Sequence, residues 1–252
     1  MDIYTVQRIF QYDYIYIDAV FLVIWIAVLI WNRKYKALLF GIIIAPIIYF
    51  IDAYIWWNTQ AGPLFSMSTF IREYWIGGVQ MPHPLGSYFW QKFGADFMMT
   101  ISYALYAFPW IWICFENFKS KNCKSTIKYT VLWLIFWLLV PLLSILFSMN
   151  DTLVQSVRHM NSQYTGWVIS FIIAFSLLFI VYRKNISVVF KVFLVGVVGA
   201  LVMELPLYIF QIRPMTPSVL LFDAIFMLNL GVPWLFLVYD KVLPYVSKKL
   251  QI

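Results

Sequence analysis

Long apolar runs, separated by short polar and often basic stretches, set the pattern of this chain. Seven such runs occupy residues 14–31, 37–57, 94–116, 129–148, 165–182, 190–210 and 219–239. Each approaches the ~20 residues that a helix needs to cross about 30 Å of hydrocarbon. Their apolar residues are continuous rather than alternating, which predicts helices and excludes the strands of a barrel. The expected fold is all-α, a single domain over 1–252 built as a bundle of seven transmembrane helices. Short connectors at 32–36 and 183–189 make spans one and two, and spans five and six, antiparallel neighbours. The first run is too long for a removable leader and lacks a basic lead-in or a small-residue cleavage site.

The one long connection, 58–93, is a candidate lid over the bundle. Phe65, Phe70, Tyr74 and Trp75, with Arg72 and Glu73 between them, predict a short interfacial helix. Gly77, Gly78, Pro82, Pro84 and Gly86 then break regular structure.

Composition agrees with the pattern. Of the 252 residues 63% are hydrophobic and 12% charged, against about 25% charged in soluble domains. The net charge of +7 is a topology signal rather than a nucleic-acid footprint, because the basic residues are segregated. The connectors after spans one, three and five and the C-terminal tail hold thirteen of the eighteen Lys and Arg. Arg8, Arg72, Lys92, Arg158 and Arg213 fall on the opposite side. The positive-inside rule then places the N-terminus outside and the C-terminus in the cytoplasm, as an odd number of spans requires. In a bacterial or archaeal cell the location expected is the plasma (inner) membrane, with the lipid bilayer as partner and no nucleic acid. Cys114 and Cys123 form neither a disulfide framework nor a zinc spacing. His83 and His159 lack a ligand spacing, so no metal and no cofactor is expected.

The carboxylates carry the candidate chemistry. Asp18, Asp52, Asp96, Glu204 and Asp223 come from five spans and all lie in the outer half. Asp52 is about 8 Å, Glu204 about 9 Å and Asp223 about 6 Å below the outer ends of their spans at 1.5 Å per residue. Acids at such depth cost several kcal/mol unless paired, hydrated or protonated, and they normally face the bundle interior. Asp18 and Asp96, nearer helix ends, are also consistent with simple hydration. Pro46 and Pro206 stand close to Asp52 and Glu204, where each can bend its helix and open space beside the acid. Tyr49, Tyr54, Trp56, Tyr208 and Phe222 share this depth, and Arg213 lies beside it. Interfacial aromatics form a belt in any membrane protein, but aromatics around a few polar groups also line small-molecule sites. Asp52, Glu204 and Asp223 are therefore expected to share one outward-opening pocket, with Asp18, Asp96 and these aromatics around it.

Several activities lack their residues. No Lys stands in mid-membrane of span seven for retinal, and neither His lies at bilayer depth for intramembrane proteolysis or haem. Three classes stay open: an enzyme using buried carboxyls as general acid and base on a lipophilic small molecule, a proton- or cation-coupled carrier, and a ligand-binding sensor. Carriers are commonly built from internal repeats. Here GIIIAPIIYFIDAYI and GVVGALVMELPLYI look alike, but the acid is displaced by three residues after the shared Gly.

The seven spans, the basic connector NRKYK before span two, and Asp52 and Asp223 in spans two and seven resemble the integral membrane terpene cyclases of meroterpenoid pathways. The resemblance implies protonation-initiated cyclisation or isomerisation of an isoprenoid-like substrate. It would make Asp52 and Asp223 the proton-transferring acids, with Glu204 tuning them or holding water. The chain departs from the family in having Asp within FIDAY where a Trp-Glu pair is typical, and in its long outer loop and Glu204.

Overall fold

The computed structural model describes residues 5–62, 69–147, 149–159 and 161–250. Among them, seven helices are long and apolar enough to cross a membrane. They are α1 (Tyr12–Trp31), α2 (Tyr35–Ile55), α3 (Gly86–Ser120), α4 (Cys123–Leu146), α5 (Asn161–Val181), α6 (Ile186–Ile209) and α7 (Pro217–Tyr245). Local signals fix several ends. Asn122 accepts a bond from the Ser125 N–H at 3.1 Å as the N-cap of α4. Thr216 does the same for the Val219 N–H at 3.4 Å, and Pro217 follows at the first helical position of α7. α1 has no side-chain cap of its own. Instead the Asp13 carboxylate in its first turn accepts the Met149 and Asn150 N–H groups at 2.9 and 2.8 Å, pinning the segment after α4 to the helix start.

Helix α3 is the central post, packed against α1, α2, α4 and α6, while α6 in turn meets α4, α5 and α7. Close approach depends on missing side chains. A Cβ on Gly41 would lie 2.7 Å from Pro109 of α3, and one on Gly196 only 1.9 Å from Asn229 of α7. Asn229 is fully buried and donates to the Ile225 carbonyl at 2.8 Å, just where α7 passes through a 3-10 turn, Leu228–Leu230. Two further irregularities are π-helical turns, at Phe50–Ile55 in α2 and Phe97–Ser102 in α3. Pro46 precedes the first of these by one helical turn and lacks the N–H that would continue the ladder.

The chain is mostly helical but not all-α. A four-stranded antiparallel sheet, order β1-β4-β2-β3, caps one end of the bundle. Its strands are β1 (Thr5–Gln11), β2 (Arg72–Ile76), β3 (Val79–Gln80) and β4 (Leu153–His159). They come from the N-terminal segment and the α2–α3 and α4–α5 connections, so all lie at one end. Strand β2 replaces the interfacial helix expected across Phe65–Trp75; Phe65 itself lies outside the described residues. The reason is alternation. Arg72, Tyr74 and Ile76 are buried while Glu73 and Trp75 are less so, a period of two that fits a strand paired on β4 and not a helix. Helix α3 also starts eight residues before the apolar run, because Lys92 turns inward and pairs with Asp96 one turn on.

Candidate functional site

The sheet presents one face to the bundle, and its register loads that face with guanidinium groups. Arg72 of β2 stands opposite Arg158 of β4, and Arg8 of β1 stands opposite Ser156, two residues away on the same face. Like charges directly across a ladder repel. The repulsion is relieved from below by Asp52, which the π-helical end of α2 lifts between them. Asp52 is buried and paired with Arg72, and Arg158 Nη2 lies 3.1 Å from both of its oxygens. Burial opposes charge on Arg72, but the Asp52 carboxylate outweighs it and holds this guanidinium above its usual range. At Arg158 burial wins, helped by Arg72, Arg8 and Arg213 against Asp52, and the group is pushed down to about 9. It stays protonated at neutral pH, its lowering due first to burial and then to the neighbouring guanidinium groups.

A second set of pairs continues from this one. Arg213, in the α6–α7 connection, lies 2.5 Å from Glu204 of α6 and 2.7 Å from Asp223 of α7. The other Glu204 oxygen is 3.4 Å from Arg8, whose guanidinium also sits 4.8 Å over the Tyr103 ring. Four buried or nearly buried arginines, Arg8, Arg72, Arg158 and Arg213, thus meet three carboxylates, Asp52, Glu204 and Asp223. One positive charge is left over. The Nε atoms of Arg72, Arg158 and Arg213 are buried and have no hydrogen-bond partner.

Asp96 belongs to a separate, balanced clamp. Lys92 Nζ is 2.5 Å from its carboxylate, Tyr74 donates to it at 2.6 Å, and Lys92 also reaches the Ala53 carbonyl at 3.1 Å. Lys92 lies over the Trp57 ring at 4.4 Å, so α2, α3 and β2 meet at one ammonium.

Below the arginines is a pocket of about 220 Å³ between α2 on one side and α5 and α7 on the other, with α3 behind it. Its rim is polar: Arg8, Asp52, Trp56 and Arg158. Its depth is apolar, lined by Ala104, Ala107 and Phe108 of α3, Met203 of α6 and Met227 and Leu228 of α7. Both π-helical turns contribute to the wall, through Ile51 and Asp52 from one and Met99 and Thr100 from the other. Arg158 lies 4.5 Å over the Trp56 ring, which fixes the guanidinium at the rim.

The sequence-derived residues are therefore distributed unevenly. Asp52 and Trp56 line the pocket, while Glu204, Asp223 and Arg213 form the ion chain beside it. Other expected members stand away from it. Tyr54 is 57% exposed and stacks on Phe50, turned outward by the π-helical turn. Tyr49 packs on Phe93 and Phe222 on Tyr164, both as bundle aromatics, and half-buried Tyr208 is absent from the pocket wall. Asp96 is held by its clamp, and Asp18 is buried elsewhere between α1 and α3. Arg8, Arg72 and Arg158 are the site residues that span-by-span reading misses, assigning all three to topology and Arg72 also to an interfacial helix. Their signal was the alternation in RIF, REY and SVRH, which puts each on the face of its inward neighbours. Among the described residues no three His, Cys, Asp or Glu side chains come together as a metal site.

No protein-family description, curated protein or solved structure matches the chain.

Proposed function

We propose that this is a multi-pass membrane protein that binds a lipophilic molecule with an anionic head group, taken from the outer half of the bilayer. The supporting observation is the pocket itself, apolar in its depth and rimmed by Arg8 and Arg158 within a cluster holding one more guanidinium than carboxylate. In low dielectric an uncompensated guanidinium is costly, and an anionic ligand relieves it. Arginine forks suit carboxylate or phosphate oxygens. The apolar volume of about 220 Å³ accepts a short stretch of hydrocarbon, leaving the rest of a longer tail among the lipid. Entry is lateral, between α2 and the α5–α7 pair, at the depth of Trp167 and Ile48.

The test is photolabelling of the purified protein in nanodiscs with a diazirine-bearing fatty acid and with the amine of the same chain. The acid should crosslink to peptides carrying Met99, Met203 or Met227, and Arg158→Gln should reduce labelling several-fold. Equal labelling by the amine would refute an anionic head group.

A second reading, acid–base chemistry on an isoprenoid-like ligand, is favoured by one observation: Asp52 lines the pocket wall. Glu204 and Asp223, paired with Arg213, do not line the pocket, which leaves Asp52, itself held by Arg72 and Arg158, as the acid in reach of a substrate. Under this reading Asp52→Asn retains bound ligand and stops its conversion to product, read by mass spectrometry of the extracted lipids. Under the binding reading Asp52→Asn strengthens capture of the fatty acid, because Arg72 and Arg158 lose their counter-charge.

A further inference from the structure

Away from the arginine-rimmed pocket, four polar side chains meet between α1 and α3. Tyr14 and Asp18 stand one turn apart on α1, at i and i+4, and so share a face. Ser102 and Tyr106 have the same spacing on α3, where Ser102 ends the π-helical turn Phe97–Ser102. The Ser102 hydroxyl faces the Asp18 carboxylate, and the Tyr14 and Tyr106 hydroxyls lie within its electrostatic reach. All four are at most 1% exposed. Yet no well-formed hydrogen bond satisfies either oxygen of Asp18 or the hydroxyls of Tyr14, Ser102 and Tyr106, although Ser102 comes close enough to the carboxylate to interact with it. Among the described residues no Lys, Arg or His forms an ion pair with Asp18.

Buried polar groups are almost always satisfied, and five orphaned oxygens in one place require a shared partner. Three occupants can be weighed. A proton on Asp18 removes the charge and adds one donor, but a single carboxyl cannot also serve the Tyr14 and Tyr106 hydroxyls, which stand outside hydrogen-bond geometry. Water satisfies the hydroxyls but leaves an ionised carboxylate in a low-dielectric interior. A monovalent metal cation does both. It cancels the single negative charge and accepts coordination from hard oxygen donors. Divalent ions prefer more carboxylate than this site supplies.

We infer that Asp18, Tyr14, Ser102 and Tyr106 form a binding site for one alkali-metal cation that ties α1 to α3. Tyr103, next to Ser102 in sequence, lines the arginine-rimmed pocket, so the ion stands behind that pocket's wall rather than in it. The cation site does not depend on what the pocket binds.

The probe is the metal salt alone. Thermal unfolding of the full chain in detergent is followed in NaCl, KCl and choline chloride at equal ionic strength. The midpoint should rise with Na⁺ or K⁺ and saturate, as expected for a ligand of the folded state, and should not move in choline. Asp18→Asn should abolish the response, and Ser102→Ala should shift its half-saturating concentration several-fold upward. Retention of ²²Na⁺ or ⁸⁶Rb⁺ by wild-type protein on a desalting column gives a readout that needs no variant to fold. Identical midpoints in all three salts with no retained isotope would overturn the proposal in favour of water or a proton. An unchanged salt response in Asp18→Asn or Ser102→Ala would overturn the assignment of the site.

Discussion

Arg213 holds Glu204 at 2.5 Å from one arm of its guanidinium while the other arm reaches Asp223 at 2.7 Å, so one side chain bridges acids on two helices. All three are at most 4% exposed. Removing one partner of a buried pair leaves an uncompensated charge and costs about 3–5 kcal/mol. Arg213→Ala should therefore unfold the protein or lower its stability by at least that amount in a denaturant titration. The more accessible, half-buried pair Lys34–Glu116, with 26% and 31% of the side chains accessible, provides the contrast. Lys34→Ala should change stability by less than about 1 kcal/mol. Comparable losses in the two variants would refute the ranking of buried over more accessible pairs.

Gly196 is required for a different reason. Its missing side chain leaves room for the Asn229 amide, and a Cβ there would fall 1.9 Å from Asn229 Oδ1. Gly196→Ala should separate α6 from α7 and cost about 1–3 kcal/mol or more. Asn229→Ala in the same chain should recover part of that loss, because the clash disappears with the amide. A double-mutant cycle measures this coupling. Additive losses would mean that the two residues do not meet.

These two contacts show where sequence was legible. Hydropathy alone located seven apolar helices, because in hydrocarbon every backbone group must be satisfied within its own span. The inward direction of Asp52 and Glu204 followed from the cost of an acid facing lipid. Their partners did not follow. Arg8, Arg72 and Arg158 reach the bundle through a sheet whose strands lie far apart in sequence, and each strand is too short to outweigh adjoining hydrophobic runs. Strand β1, TVQRIFQ, runs directly into α1 and shows no boundary of its own. Tyr54, expected to face the pocket, points outward instead, since a π-helical turn rotates every later residue relative to an α-helix.

His83 gives a pH-dependent prediction. Its ring lies between Trp57 at 3.8 Å and Phe70 at 4.0 Å. Burial, and then the nearby Lys92 ammonium, lower its pKa from 6.5, with Glu73 opposing. A base whose folded pKa is depressed favours folding in its neutral form. That contribution is present above pH 6.5 and is lost as pH falls through the folded value. An NMR titration should give a midpoint below 6.5 for this imidazole. His83→Phe should remove its share of the acid-side loss of stability. A midpoint above 6.5 would show that the ring is not held in this stack.

The orientation proposed for the bundle can be tested with the same residues that build the site. At the sheet end, Arg8, Arg72, Lys92, Arg158 and Arg213 are all wholly or largely buried and engaged with carboxylates. At the opposite end, Lys36, Lys121, Lys124 and Lys184 are exposed, placed to meet anionic lipid. Basic residues that are neutralised by partners lose much of their topological force. The effective bias is thus steeper than the count of thirteen to five suggests. Reporter fusions after Lys124 and after Ile252 should read cytoplasmic, and one after Gly86 should read external. Replacing Lys121, Lys124 and Lys128 by Gln should weaken that preference, whereas Arg8→Gln should leave it unchanged while disturbing the Glu204 pair. An external signal at Ile252 in the unmodified chain would invert the orientation and place the arginine-rimmed pocket in the inner half of the membrane.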